Sequence, residues 1–121
     1  MSRIDRATQF LTAARAGDTK TARALCCANA RHHNQYFPAG MDILIDAIAA
    51  ASVEKPASTF TVKRSVANDD MVVLHSHVVH APGEPGYTVF HMFRFEGNLI
   101  AELWDVGQML SPDMPNTDGA F

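Results

Sequence analysis

The chain is poor in sulfur that could cross-link it: its only cysteines, Cys26 and Cys27, are adjacent. Neighbours in one helical stretch would close a trivially small loop in strained geometry, which makes a structural disulfide between them unattractive. No cation at a helix N-terminus accompanies them to activate a thiolate, so they are read as small buried hydrophobes of a helix. An excess of positive charge is also missing. Ten Lys and Arg stand against thirteen Asp and Glu, a net charge of -3, and the basic residues form no cluster beyond Lys63-Arg64. Nothing there matches a phosphate backbone, and nucleic acid is not an expected partner. No apolar run reaches the length of a membrane span, and the opening MSRIDRATQF has the charges but not the apolar core of a secretory signal. The expected setting is therefore cytoplasmic, with no membrane partner. Repeats and low-complexity tracts are absent as well.

What remains is an ordinary folding composition, 47% hydrophobic and 19% charged over 121 residues. It suits one domain spanning residues 1–121 with one core. Ser2 and Asp5 have the spacing of a capping box, and Ile4, Phe10, Leu11 and Ala14 follow at helical intervals, so a first helix is expected from about residue 3 to Ala16. Gly17 stops it, and Asp18 or Thr19 can cap a second helix through Ala22, Leu25 and Cys26. RHHNQYFPAG reads as an ordered loop. A third helix places Met41, Leu44, Ile45 and Ile48 on one face and cannot pass Pro56.

After Pro56 the pattern becomes that of strands. Ser58 to Val66 and Met71 to His80 form one hairpin around Asn68-Asp69-Asp70; Tyr87 to Phe95 and Leu99 to Gln108 form another around Glu96-Gly97-Asn98. Three helices followed by four consecutive strands predict an α+β fold with the helices on one face of an antiparallel sheet; without crossover helices a parallel sheet is not expected.

The last hairpin carries the most chemistry. A three-residue loop at Glu96-Gly97-Asn98 pairs Phe95 with Leu99 and His91 with Leu103, which leaves Asp105 diagonally beside His91 on the same face. Among Phe93, Phe95 and Leu103, that carboxylate is partly desolvated and the imidazole is its natural partner, the setting for general acid/base work. A two-residue loop would pair His91 with Trp104 and separate the two unless a bulge restored them. The alternative role for His91 and Asp105 is a buried hydrogen-bonded pair that fixes register, and the sequence leaves both roles open. Arg94, Glu102 and Trp104 fall on the opposite face as structural residues.

His75 and His77 share a strand face, but no carboxylate follows at ligand spacing, so polar groups of a pocket or satisfied strand histidines are expected ahead of metal ligands. His33, Asn34 and Tyr36 offer donors, acceptors and aromatic surface, or only bond their own loop's backbone.

The order of elements, with His33-Asn34, Pro38, Gly40, His75, Phe93-Arg94, Glu102, Trp104-Asp105-Val106 and Gln108, resembles the SnoaL-like polyketide cyclases of the nuclear-transport-factor-2-like superfamily over nearly the whole chain. HNQYFPAG resembles a family loop of His-Asn-Pro, two variable residues and Pro-Asp-Gly, with Gln35 in place of the first Pro and Ala39 in place of the Asp; LIAELWDVGQ resembles the family's last long strand. The resemblance implies a cone: three helices packed on a strongly curved, mainly antiparallel sheet that encloses an apolar pocket. It also implies homodimers through the sheet; a small apolar or aromatic carbonyl compound is the expected partner, and no cofactor is expected. An Asp on the last strand would act as acid/base in an intramolecular aldol closure, aided by a His fourteen residues earlier, the spacing of Asp105 and His91. Around that pair, His33, Asn34, Tyr36, His75, His77, Phe93 and Leu103 are the expected substrate contacts.

Overall fold

A computed structural model describes all of residues 1–121. The first helix, α1 (Arg3–Arg15), starts where its capping chemistry sits: the Ser2 hydroxyl accepts the Asp5 N–H, and the Asp5 carboxylate accepts the Ser2 N–H in return. Its buried stripe is Ala7, Phe10, Leu11, Ala13 and Ala14. The short helix α2 (Thr19–Ala24) is capped by the Asp18 side chain, which accepts the Thr21 N–H.

The chain then departs from the expected loop. Residues Cys26–His33 form a strand, β1, before α3 (Met41–Glu54) begins. The expected helical setting of the cysteines is therefore corrected: both belong to β1, where burial pushes the Cys26 thiol up to about 12, with Cys27 and Asp42 adding to the shift. At that value the thiol stays protonated at neutral pH. CCANARHH has no Val, Ile, Thr or aromatic residue, so nothing in it signals a strand. It is held by tertiary pairing instead.

The remaining strands are β2 (Thr59–Asn68), β3 (Met71–Val79), β4 (Tyr87–Glu96) and β5 (Leu99–Met109). The curled sheet has the order β1-β5-β4-β3-β2. All neighbours are antiparallel except β1 and β5, which run parallel, so the sheet is mixed and has five strands in place of the expected four. The rule that parallel neighbours need a crossover is met by everything between β1 and β5, not by one helix. The helices cover the inner face of the sheet. There Phe10 meets Phe93 edge to face at 6.1 Å, within a core that includes Leu44, Ile45, Val72, Leu74, Phe95, Ile100 and Leu103.

The β4–β5 hairpin differs from the expected register in an informative way. Only Gly97 and Asn98 form the turn; Glu96 pairs with Leu99 and Phe95 with Ile100. Continued regularly, that two-residue register would send Asp105 outward. Ala101 interrupts it as an extra residue, and beyond this bulge Arg94 pairs with Glu102, Phe93 with Leu103 and His91 with Asp105. The two side chains are thus direct cross-strand partners on the inner face, not the diagonal neighbours of the three-residue loop. Gly97 supplies the positive φ of 59° at the first turn position, the II′ arrangement that suits the twist of a hairpin.

Candidate functional site

Near the open end of the cone the inner face turns polar. Asp105 projects from β5, and its side chain keeps 12% of its surface exposed. Both of its oxygens are held from the end of β1: His32 Nε2 donates to Oδ2 at 3.0 Å and Asn34 Nδ2 donates to Oδ1 at 2.5 Å. The parallel register explains this, because His32 lies beside Leu103, two residues before Asp105 and on the same face. Burial alone would push the Asp105 carboxyl up; the hydrogen bonds from His32 and Asn34, together with the charges of His32 and His91, hold it below the ordinary carboxylate range. It is an ionised acceptor at neutral pH.

His91 faces Asp105 from β4 and is nearly sealed, 8% exposed, between Phe93, stacked at 6.2 Å, and Phe60, edge-on at 6.4 Å. Burial lowers its pKa to about 4, against the pull of Asp105 and with the help of His32. The ring is neutral at pH 7. His91 Nδ1, His32 Nδ1 and Ser76 Oγ are all buried without a hydrogen-bond partner in the protein. Since Ser76 alternates with Leu74, which pairs with His91, these atoms sit on the same inner face as Asp105. Unpaired buried polar atoms are rare, and these three share one face of the sheet with the Asp105 carboxylate.

Asp105 also opens onto a cleft of about 530 Å³ at the edge of β5 beyond the end of β1, lined among others by Asn34, Tyr36, Tyr87, Val89 and Trp104. That volume suits a small organic molecule. The larger set of expected contacts divides. Asn34 and His91 come together with Asp105, and Tyr36, 81% exposed, stands at the rim of the cleft. His33 reaches the same cleft from the outer face, where it stacks on Trp104 at 5.0 Å and meets Glu102 at 2.6 Å. Glu102 is held low by that bond and by Arg94, its direct partner at 3.0 Å.

Phe93 and Leu103 have no exposed surface and belong to the core. His75 and His77 are placed away from the pocket, because strand alternation turns them to the outer face opposite Leu74 and Ser76. There His75 stacks on Phe90 at 4.1 Å, bonds Thr88 at 2.7 Å and meets Arg64, while His77 donates to the Pro85 carbonyl at 2.7 Å. The Phe121 ring packs over both imidazoles. No group of three His, Cys, Asp or Glu side chains is arranged to hold a metal ion.

His32 is the site residue that the loop reading missed. In a loop, RHHN has no faces; in a strand, His32 and Asn34 share one. No sequence signal marked it, because Arg31, His32, His33 and Asn34 are all polar and show no alternation.

This combination of a curled mixed sheet, three helices and a polar end to the inner face defines a nuclear-transport-factor-2-like cone. The family model of the SnoaL-like domain matches residues 7–103, and the chain belongs to that family. The matched span ends two residues before Asp105. No curated protein matches the sequence. Among solved structures, AclR from Streptomyces galilaeus, a candidate hydroxylase, is 18% identical and superposes with a TM-score of 0.72 over 96% of this chain and 90% of its own. IdmH from Streptomyces antibioticus, a candidate polyketide cyclase, is 20% identical, with a TM-score of 0.69 over 88% of this chain and 92% of its own. An uncharacterised cystatin-fold protein from Novosphingobium aromaticivorans is 22% identical, with a TM-score of 0.72 over 88% of this chain and 98% of its own. At these identities the likeness is one of fold.

Proposed function

We propose that this protein is a cyclase- or isomerase-type enzyme that moves a proton next to a carbonyl of a small aromatic or apolar substrate. The carrying observation is an ionised carboxylate, Asp105, that lines a ligand-sized cleft with both oxygens oriented by donors and has a neutral His91 as its cross-strand partner. In this reading Asp105 takes a proton from the carbon beside the carbonyl, the resulting enolate attacks a second carbonyl of the same molecule in an aldol-type closure, and the alkoxide formed there takes the proton back from Asp105. His91, neutral and desolvated, hydrogen-bonds the carbonyl oxygen as charge develops there. Asn34 and the rim residues His33 and Tyr36 orient the ring system. The family and the candidate cyclase among its structural neighbours support this reading.

Proton abstraction leaves a trace that does not depend on the final product. In deuterated water, an aromatic diketone accepted by the enzyme gains deuterium beside its carbonyl. Asp105→Asn is expected to slow that exchange by about 10²- to 10⁴-fold, the usual contribution of a general base. An Asp105→Asn protein that exchanges at the full rate would falsify the role.

A second reading has its own observation. Two donors on one carboxylate make it a weak base, which suits a non-catalytic module that orients a small apolar ligand. Ligands that bind the cleft at Asp105 without any exchange would decide for this module.

A further inference from the structure

We infer that His32 is the positioning residue of this site: its Nε2–H fixes the orientation of the Asp105 carboxylate while Asn34 fixes the other oxygen. This rests on the reading of Asp105 as the working carboxylate and adds a residue to it.

The geometry is specific. Ionised Asp105 only accepts, so the contact at 3.0 Å requires the proton of the imidazole on Nε2. In the neutral ring the lone pair is then on Nδ1, which is buried and unpartnered, and the whole side chain has no exposed surface. A histidine kept only for packing would not leave a buried nitrogen unpaired, since that costs the full desolvation of the atom. The strand that delivers it is costly too. β1 is built from poor strand formers, and its pairing with β5 is irregular between Cys26 and Arg31. Regular pairing returns only at Arg31, His32 and His33, which face Glu102, Leu103 and Trp104. The regularly paired part of β1 is therefore the part that carries His32 to Asp105, with Asn34 just beyond its end.

With one lone pair of each oxygen occupied, the carboxylate cannot rotate, and its remaining lone pairs are left for His91 and for a ligand in the cleft. His91 from β4 is the other titratable group facing the pair. Arg31, His33 and Glu102 form their own cluster on the outer face of the same strands. Phe37 covers His32 from the following loop, with ring centres 5.9 Å apart.

The test needs no substrate. In ¹⁵N-labelled wild-type protein at neutral pH, the His32 ring is expected to show the proton on Nε2. A proton on Nδ1 with a bare Nε2 overturns the assignment without any variant. The Asp105 side-chain carboxyl ¹³C titration is then followed in His32→Leu and His32→Gln. Leu removes the donor, and the Asp105 midpoint is expected to rise by about one pH unit or more. Gln places an amide N–H near the position of Nε2, and the midpoint is expected to stay near wild type. An unchanged midpoint in a folded His32→Leu protein overturns the positioning role. Equal rises in both variants assign His32 to packing alone and overturn it as well. If the midpoint moves as expected but Asp105→Asn still exchanges substrate at the full rate, the catalytic reading falls while the pairing of His32 with Asp105 stands.

Discussion

Burial of one imidazole ties the stability of this protein to pH. His91 has an ordinary value of 6.5 and is held at about 4 in the folded state because its ring is desolvated. Between those values the unfolded chain binds a proton at this position that the folded chain refuses. Stability therefore falls as the pH drops from about 6.5 towards 4, by up to roughly 3 kcal/mol if the whole difference is expressed. Asp105 acts in a different window. Its folded value is depressed below 3.8, so the stability it contributes is present above that pH and is lost only below it. His75 and His80, also lowered, add to the slope in the same direction as His91. Urea unfolding of wild type and His91→Gln at a series of pH values isolates the first effect. The difference between the two proteins is expected to shrink from pH 7 to pH 4, and a constant difference would reject the assignment to His91.

At the scale of elements, the site is made by an irregularity. The turn of β4 and β5 sets one register, and Ala101 shifts it by one residue before Asp105 is reached. Without that shift Glu102 and Trp104 would face the core and Asp105 the solvent. The turn depends in its own way on Gly97, whose φ of 59° is adopted by few other residues and around which an added Cβ would meet nothing within 4 Å. Gly97→Val thus tests backbone strain without a clash, and a loss of about 1–2 kcal/mol in chemical denaturation is expected. Much of this level was legible in the sequence. α1, α3 and the four strands after Pro56 follow from periodicity and breakers, and the pairing of His91 with Asp105 was anticipated on a condition that the bulge satisfies. β1 was not legible, because its stability lies in pairing with a strand far away in the chain and not in its own residues. His32 was hidden with it. The placement of His75 and His77 was missed for a related reason: alternation says that two residues share a face, but only the sheet's position under the helices says which face is inside.

Taken whole, the molecule buries one face of its sheet under helices and leaves apolar groups on the other. Phe90, Met92 and Val106 lie on that outer face with 50%, 37% and 73% of their surface exposed. A homodimer through the sheet, which the family resemblance implies, would cover them. Sedimentation equilibrium is expected to give twice the mass of the chain, and Phe90→Glu with Val106→Glu is expected to shift it towards the monomer. A monomer at all concentrations would remove the dimer from the account. No helix is long and apolar enough to cross a membrane.

The stacking of His33 on Trp104 has an optical consequence. Trp104 is the only tryptophan in the chain, and it borders the same cleft as Asn34 and Asp105. All indole emission therefore comes from one wall of that cleft, with an imidazole lying 6° from parallel at its face. A compound entering the cleft changes the intensity or the wavelength of that emission, and Asp105→Asn is expected to alter its titration curve. The protein thus carries its own probe, and a library of aromatic carbonyl compounds can be screened by light before any reaction is known.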